Sequence, residues 1–74
     1  MLTEERLNEL GFDRRILNGE PYFIRNGFIL KTELGKWLLC AEHSGYIVTT
    51  LLWIETEMEL AMLYNKSTNS NLYN

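Results

Sequence analysis

TTLLWIETEMELAMLY, residues 49–64, changes periodicity in its middle. Thr49–Ile54 is apolar, threonine-rich and uncharged, the composition of a strand. From Thr56 to Tyr64 the pattern becomes helical: Leu60, Leu63 and Tyr64 share one stripe, flanked by Ala61 and Met62. At the junction Thr56 and Glu59 have the spacing of a capping box, in which the threonine hydroxyl accepts the amide of Glu59 and the glutamate reaches back to the amide of Thr56. The strand therefore stops near Ile54 and a helix starts at Glu57. A strand that turns straight into a helix can lay that helix on its own sheet, and a small sheet needs such a cover to be stable.

Upstream of this junction the chain reads as strands joined by tight turns. Asn18-Gly19 and Asn26-Gly27 are pairs that accept the positive φ angles of a type I′ hairpin turn. Across Asn26-Gly27, Tyr22–Arg25 and Phe28–Thr32 form a hairpin with Arg25 opposite Phe28, Ile24 opposite Ile29 and Phe23 opposite Leu30. One face then carries Ile24 and Ile29, the other Phe23, Phe28 and Leu30, and neither is polar. Pro21 lacks an amide donor and belongs at a strand start or on an edge. Gly35 marks the next turn, Lys36–Glu42 the next strand, His43-Ser44-Gly45 another turn, and Tyr46–Ile54 the returning strand. Arg14–Leu17 is readable as a short first strand or as coil, and the expected result is a meander of three or four antiparallel strands.

The chain opens with a helix over residues 4–10. Thr3 is its N-cap, Glu4 and Glu5 complement the helix dipole, and Leu2 and Leu7 have the spacing of a hydrophobic staple. Gly11 ends the helix in the left-handed conformation, and Phe12 is placed to touch Leu7. The fold class is thus α+β: a short N-terminal helix, a three- to four-stranded antiparallel meander and a C-terminal helix on the sheet, in one domain spanning residues 1–66. Residues 67–74 are polar and asparagine-rich and are expected to be a disordered tail.

Composition narrows the function. At 74 residues, 46% of them hydrophobic, the chain can build one core, and a single cysteine rules out an intrachain disulfide, which fits a reducing, cytoplasmic setting. The charged start lacks the pattern of a signal peptide, and the longest apolar stretch, Tyr46–Ile54, is too short to span a membrane. A net charge of −3 disfavours nucleic acid as a partner. The charge is uneven, though: Arg14, Arg15, Arg25, Lys31 and Lys36 stand against only Glu20 and Glu33 between residues 14 and 36. Cys40, Glu42 and His43 fall within four residues, but one cysteine and one histidine make neither a zinc site nor an oriented nucleophile pair. Glu57 and Glu59 have helix-start duties. No phosphate-cradling loop is present. No enzyme activity, metal or cofactor is expected.

The strongest functional clue is the apolar content of both sheet faces. Two short helices cover one face, and the other would expose apolar groups to a protein partner, a second copy of the chain included. The expected contact residues are Tyr22, Phe23, Ile24, Ile29 and Trp37, with Arg25, Lys31 and Lys36 steering. The alternative is a sheet that curls enough to hide both faces. The rival functions are nucleic-acid binding by the basic aromatic hairpin 22–36 and a virion or assembly subunit.

Leu7-x-x-Leu10-Gly11-Phe12, then Gly35-Lys36-Trp37, Ile54-Glu55-Thr56, Glu59-Leu60 and Leu63-Tyr64 occur in an order that resembles a loose group of small uncharacterised helix–β-meander–helix proteins of phages and mobile elements of gut anaerobes. The likeness covers residues 3–64 and rests on capping and packing signals. The tail departs from the more charged endings of that group. The resemblance implies a helix–meander–helix domain and an accessory or inhibitory role exerted by protein contact, with no catalytic residue to carry over.

Overall fold

A computed structural model describes residues 1–74. The elements run α1 (Glu4–Glu9), β1 (Asp13–Leu17), β2 (Glu20–Arg25), β3 (Phe28–Glu33), β4 (Lys36–His43), β5 (Tyr46–Ile54) and α2 (Glu57–Thr68). The sheet is a five-stranded antiparallel meander in the order β1-β2-β3-β4-β5. The chain is α+β with a helix at each end, and the strand count is corrected from three or four to five. The added strand is β1, whose residues pair with β2 from Asp13 opposite Ile24 to Leu17 opposite Glu20. All five of its residues are exposed, so it carries no buried alternation by which sequence periodicity could recognise it.

Four two-residue turns set this topology. Asn18-Gly19, Asn26-Gly27, Leu34-Gly35 and Ser44-Gly45 all have positive φ at both positions, between 50° and 84°. That is the type I′ geometry whose twist matches paired strands, and a turn so short can only join neighbours. The β2–β3 register is the expected one: Phe23 pairs with Leu30, Ile24 with Ile29 and Arg25 with Phe28.

Both helices pack on the face that carries Phe23, Phe28, Leu30 and Trp37. Twelve side chains form this core, including Leu2, Leu7, Leu10 and Phe12 from the N-terminus, Ile54 from β5, and Leu60 and Tyr64 from α2. Phe12, Phe28 and Tyr64 meet edge-to-face with centroids 5.4–6.3 Å apart, a favoured aromatic geometry. The helix ends follow local chemistry. Thr3 Oγ1 accepts the Arg6 amide at 3.0 Å. The Phe12 amide donates to Leu7 O and the Gly11 amide to Asn8 O, which closes a Schellman stop. Thr56 Oγ1 accepts the Glu59 amide at 3.1 Å, and Glu59 Oε1 accepts the Thr56 amide at 3.0 Å.

Residues 67–74 differ from the expected disordered tail. The helix continues to Thr68 and ends at Asn69 in the left-handed conformation. The chain then folds back: the Leu72 amide donates to Asn65 Oδ1 at 2.7 Å, and the Leu72 side chain is buried in the core. One apolar residue in a polar segment is enough to anchor it, because the Arg25 guanidinium receives the returning backbone. Its Nη1 donates to Leu10 O and Leu72 O, both at 2.7 Å, and its Nη2 to Asn74 O at 2.8 Å.

Candidate interaction surface

Side chains alternate across a strand, so β-pairing determines which residues share a face. The face without helices carries Tyr22 and Ile24 from β2, Ile29 and Lys31 from β3, Leu38 and Cys40 from β4, and Ile47 and Trp53 from β5. Its centre is closed. Tyr22, Ile29 and Cys40 form a second small buried cluster flanked by Ile24 and Ile47, and Leu38 is buried too. The sheet bends over this cluster: Leu17, Asn18 and Tyr22 from one side line the same cleft as Gly45, Tyr46 and Ile47 from the other. The curled-sheet alternative describes this face better than an open apolar platform does.

The expected contact residues are dispersed accordingly. Phe23 and Trp37 lie in the main core, where Trp37 Nε1 donates to Leu2 O at 2.9 Å. Tyr22 and Ile29 are buried in the second cluster, and Ile24 is half-buried beside them. Arg25 is occupied by three carbonyls and lies over the Tyr64 ring, with Cζ 4.9 Å from its centroid. Lys31 sits between Glu20 at 3.6 Å and Glu33 at 3.7 Å. Burial lowers its pKa, but the two carboxylates outweigh that and hold the ammonium above its ordinary value. Of the eight residues only Lys36 is exposed.

The excess of bases in the middle of the sequence does not survive folding as an open patch. Arg14 lies 3.6 Å from Glu4, and Arg15 3.9 Å from Asp13. Together with Lys31 and Arg25 these account for four of the five bases between residues 14 and 36. Contacts of this exposed kind add little stability, but they cancel the local field that would attract phosphates.

Cys40 and His43 do not converge. They lie three positions apart on β4 and so project from opposite faces. Cys40 is buried, which pushes its thiol pKa up, the wrong direction for a nucleophile. No group of three or more potential metal-ligating side chains comes together. No helix is long and apolar enough to cross a membrane.

Exposed apolar surface collects instead on β5. There Tyr46 is 74% exposed, Val48 44%, Leu51 97%, Leu52 42% and Trp53 40%. Tyr46 and Val48 lie on the helix-bearing face, opposite His43 and Ala41, beyond the reach of α2. β5 is an edge of the sheet, so one side of its backbone pairs with β4 and the other with nothing. The strand holds no charged residue and no proline, two of the devices that ordinarily blunt an edge, and a third, a bulge, interrupts only part of it. The opposite edge, β1, reads DRRIL and carries three charges in five residues.

β5 has one irregularity. Leu38 pairs with Trp53 and Cys40 with Thr49, so Leu39 faces a bulge formed by Thr50, Leu51 and Leu52. Thr50 stabilises the bulge from within: its Oγ1 donates to Leu39 O at 2.8 Å and accepts the Leu52 amide at 3.1 Å. The bulge tips Leu51 outward and leaves Tyr46–Thr49 as the regular part of the edge.

The sequence did contain a signal for this surface. A meander built on two-residue turns places its first and last strands at the edges, and the last strand is the one without charge. Compared with protein-family models, curated proteins and solved structures, the chain matches none.

Proposed function

We propose that the protein is a non-enzymatic interaction domain that works by contact with a protein, an accessory or inhibitory factor of the kind the phage-like resemblance suggests. The binding surface is β5. The observation that carries this reading is the edge itself: nine residues without charge, with five large apolar side chains exposed and one side of the backbone unpaired. Soluble domains avoid such edges because they template pairing with another chain. A partner strand added there gains main-chain hydrogen bonds along Tyr46–Thr49, and its side chains meet Tyr46, Val48 and Leu51.

A photo-crosslinking residue at Leu51 tests the reading, because that side chain is almost fully exposed and its replacement leaves the core intact. In lysate from the source cell, a protein adduct is expected at position 51 and not at Ile16 on the charged edge. Absence of any adduct at 51 removes the reading.

A further inference from the structure

The seat that receives residues 70–74 is held in place by contacts that do not involve them. Arg25, which donates to Leu72 O and Asn74 O, is fixed separately: its Nη1 also donates to Leu10 O at 2.7 Å, and its guanidinium lies over the Tyr64 ring. That ring is packed edge-to-face with Phe12 and Phe28, and its hydroxyl accepts from Asn26 Nδ2 at 2.7 Å. Glu57, which accepts the Tyr73 hydroxyl, is held by two bonds from Arg6. Asn65, which accepts the Leu72 amide, lies within α2. Donors and acceptors for a peptide therefore stand on elements that already pack on one another, the preorganisation that lowers the cost of binding.

The segment itself has the form of a ligand. It leaves α2 through Asn69, in the left-handed conformation, and the exposed Ser70. Asn71–Asn74 is then a single turn: the Asn74 amide donates to Asn71 O at 3.1 Å and the Tyr73 amide to Asn71 Oδ1 at 2.9 Å. Two of its side chains engage the body, Leu72 in the core and Tyr73 at Glu57. Arg25 and Asn65 recognise only its main chain.

We propose that this seat is a peptide-docking site, that residues 70–74 close it as a strap in cis, and that its ligand in trans is a turn of the same chemistry, Asn-Leu-Tyr, presented by a partner protein. The inference is separate from the reading of β5. The seat is larger than the strap: a cleft of about 400 Å³ lies beside Leu72 and Tyr73, walled by Arg6, Glu9 and Leu10 of the first helix and its cap. A partner segment has room there that the strap does not use. A second copy is a poorer supplier, because its own tail is held at an effective concentration on the order of millimolar by so short a tether. The same figure sets the affinity. The strap stays closed only if the turn binds the seat with a Kd at or below about 1 mM.

Leu72→Ser in the full chain takes the strap's anchor out of the core and opens the seat. An end-capped peptide of residues 69–74 is titrated into this variant, isotope-labelled for NMR. The amides of Leu10, Gly11 and Asn65 are expected to move toward their wild-type positions and to saturate with a Kd at or below about 1 mM. A peptide with serine in place of its leucine is expected to move none of them, and the wild type, whose strap competes, to need more peptide. No saturable movement at about tenfold that concentration overturns the proposal, and so does a serine peptide that acts equally. Unlabelled wild-type chain that produces the same movement as the free peptide gives the seat to a second copy and overturns the assignment to a partner. Should Leu72→Ser not fold, hydrogen exchange in the wild type decides. The Leu72 amide is expected to exchange about tenfold or more faster than the amides of β3, because the strap opens alone. Exchange at one common rate makes the strap part of the core's own unfolding unit and overturns the proposal.

Discussion

Leu34 occupies a backbone conformation that asparagine takes in two equivalent turns of the same sheet. Its φ is 55°, against 53° at Asn18 and 50° at Asn26. A side chain with Cβ pays about 1–2 kcal/mol in the left-handed region, and asparagine recovers part of that by local hydrogen bonding. Leu34 is 93% exposed, so it gains no packing in return. Leu34→Asn is therefore expected to raise stability by about 0.5–1 kcal/mol, read from the midpoint of urea unfolding with an unchanged slope. Arg25 marks the limit of reading at this scale. In the sequence it is one of five bases in a stretch with few acids, and it reads as a steering charge. In the fold it is consumed by the carbonyls of Leu10, Leu72 and Asn74, partners 15, 47 and 49 positions away. Nothing local to residue 25 announces them.

At the scale of elements, the helix starts were legible because their determinants lie within three or four residues. The Thr56–Glu59 capping box and the Gly11–Phe12 stop both form as their spacing implies. Thr56→Ala removes the hydroxyl that accepts the Glu59 amide and is expected to cost about 1 kcal/mol, seen as a lower unfolding midpoint. The β2–β3 hairpin was legible for the same reason, since Asn26-Gly27 sets both turn and register. β1 was legible only as an alternative to coil at Arg14–Leu17, and the extent of α2 was not legible. β1 has an edge position and no buried side chain, so burial left no mark on its sequence. The last turn of α2 is polar and is held by the returning chain, through Asn65 and the Leu72 amide.

Two contacts act at the scale of the whole molecule because they tie both termini to the body. Leu72 fills the core between elements remote in sequence. Leu72→Ala is expected to destabilise the protein by about 3 kcal/mol, the cost of a cavity at a fully buried leucine. That is a large share of the roughly 4–11 kcal/mol available to a domain of this size. A disordered tail would show no change in the same unfolding measurement. The second contact joins α1, α2 and the tail. Glu57 accepts from Arg6 Nε at 2.7 Å, from Arg6 Nη2 at 3.1 Å and from the Tyr73 hydroxyl at 2.8 Å. Arg6, and then Tyr73, pull the Glu57 carboxyl from an ordinary 4.5 down to about 2. A carboxyl whose pKa falls on folding stabilises the folded state above its unfolded pKa, and that contribution fades as pH falls toward the folded value. The melting temperature of the wild type should therefore exceed that of Glu57→Gln above about pH 4.5, with the gap closing as pH approaches 2. A gap that stays constant down to pH 2 would assign the effect to packing and not to charge.

The candidate surface divides along the same line. Which residues are apolar, where the turns fall, and that β5 lacks charge are properties of neighbouring residues, and the sequence by itself determined them. Which apolar residues remain in water was decided by the tertiary structure. Tyr22, Phe23, Ile29 and Trp37 look as available for contact in sequence as Val48, Leu51 and Trp53 do. Their fates differ because strands inside the meander are paired on both sides, covered by helices on one face and enclosed by the sheet's curl on the other. The last strand has a neighbour on one side only. Burial depends on what surrounds a residue in three dimensions, and chemistry along the chain sets only what that burial is worth.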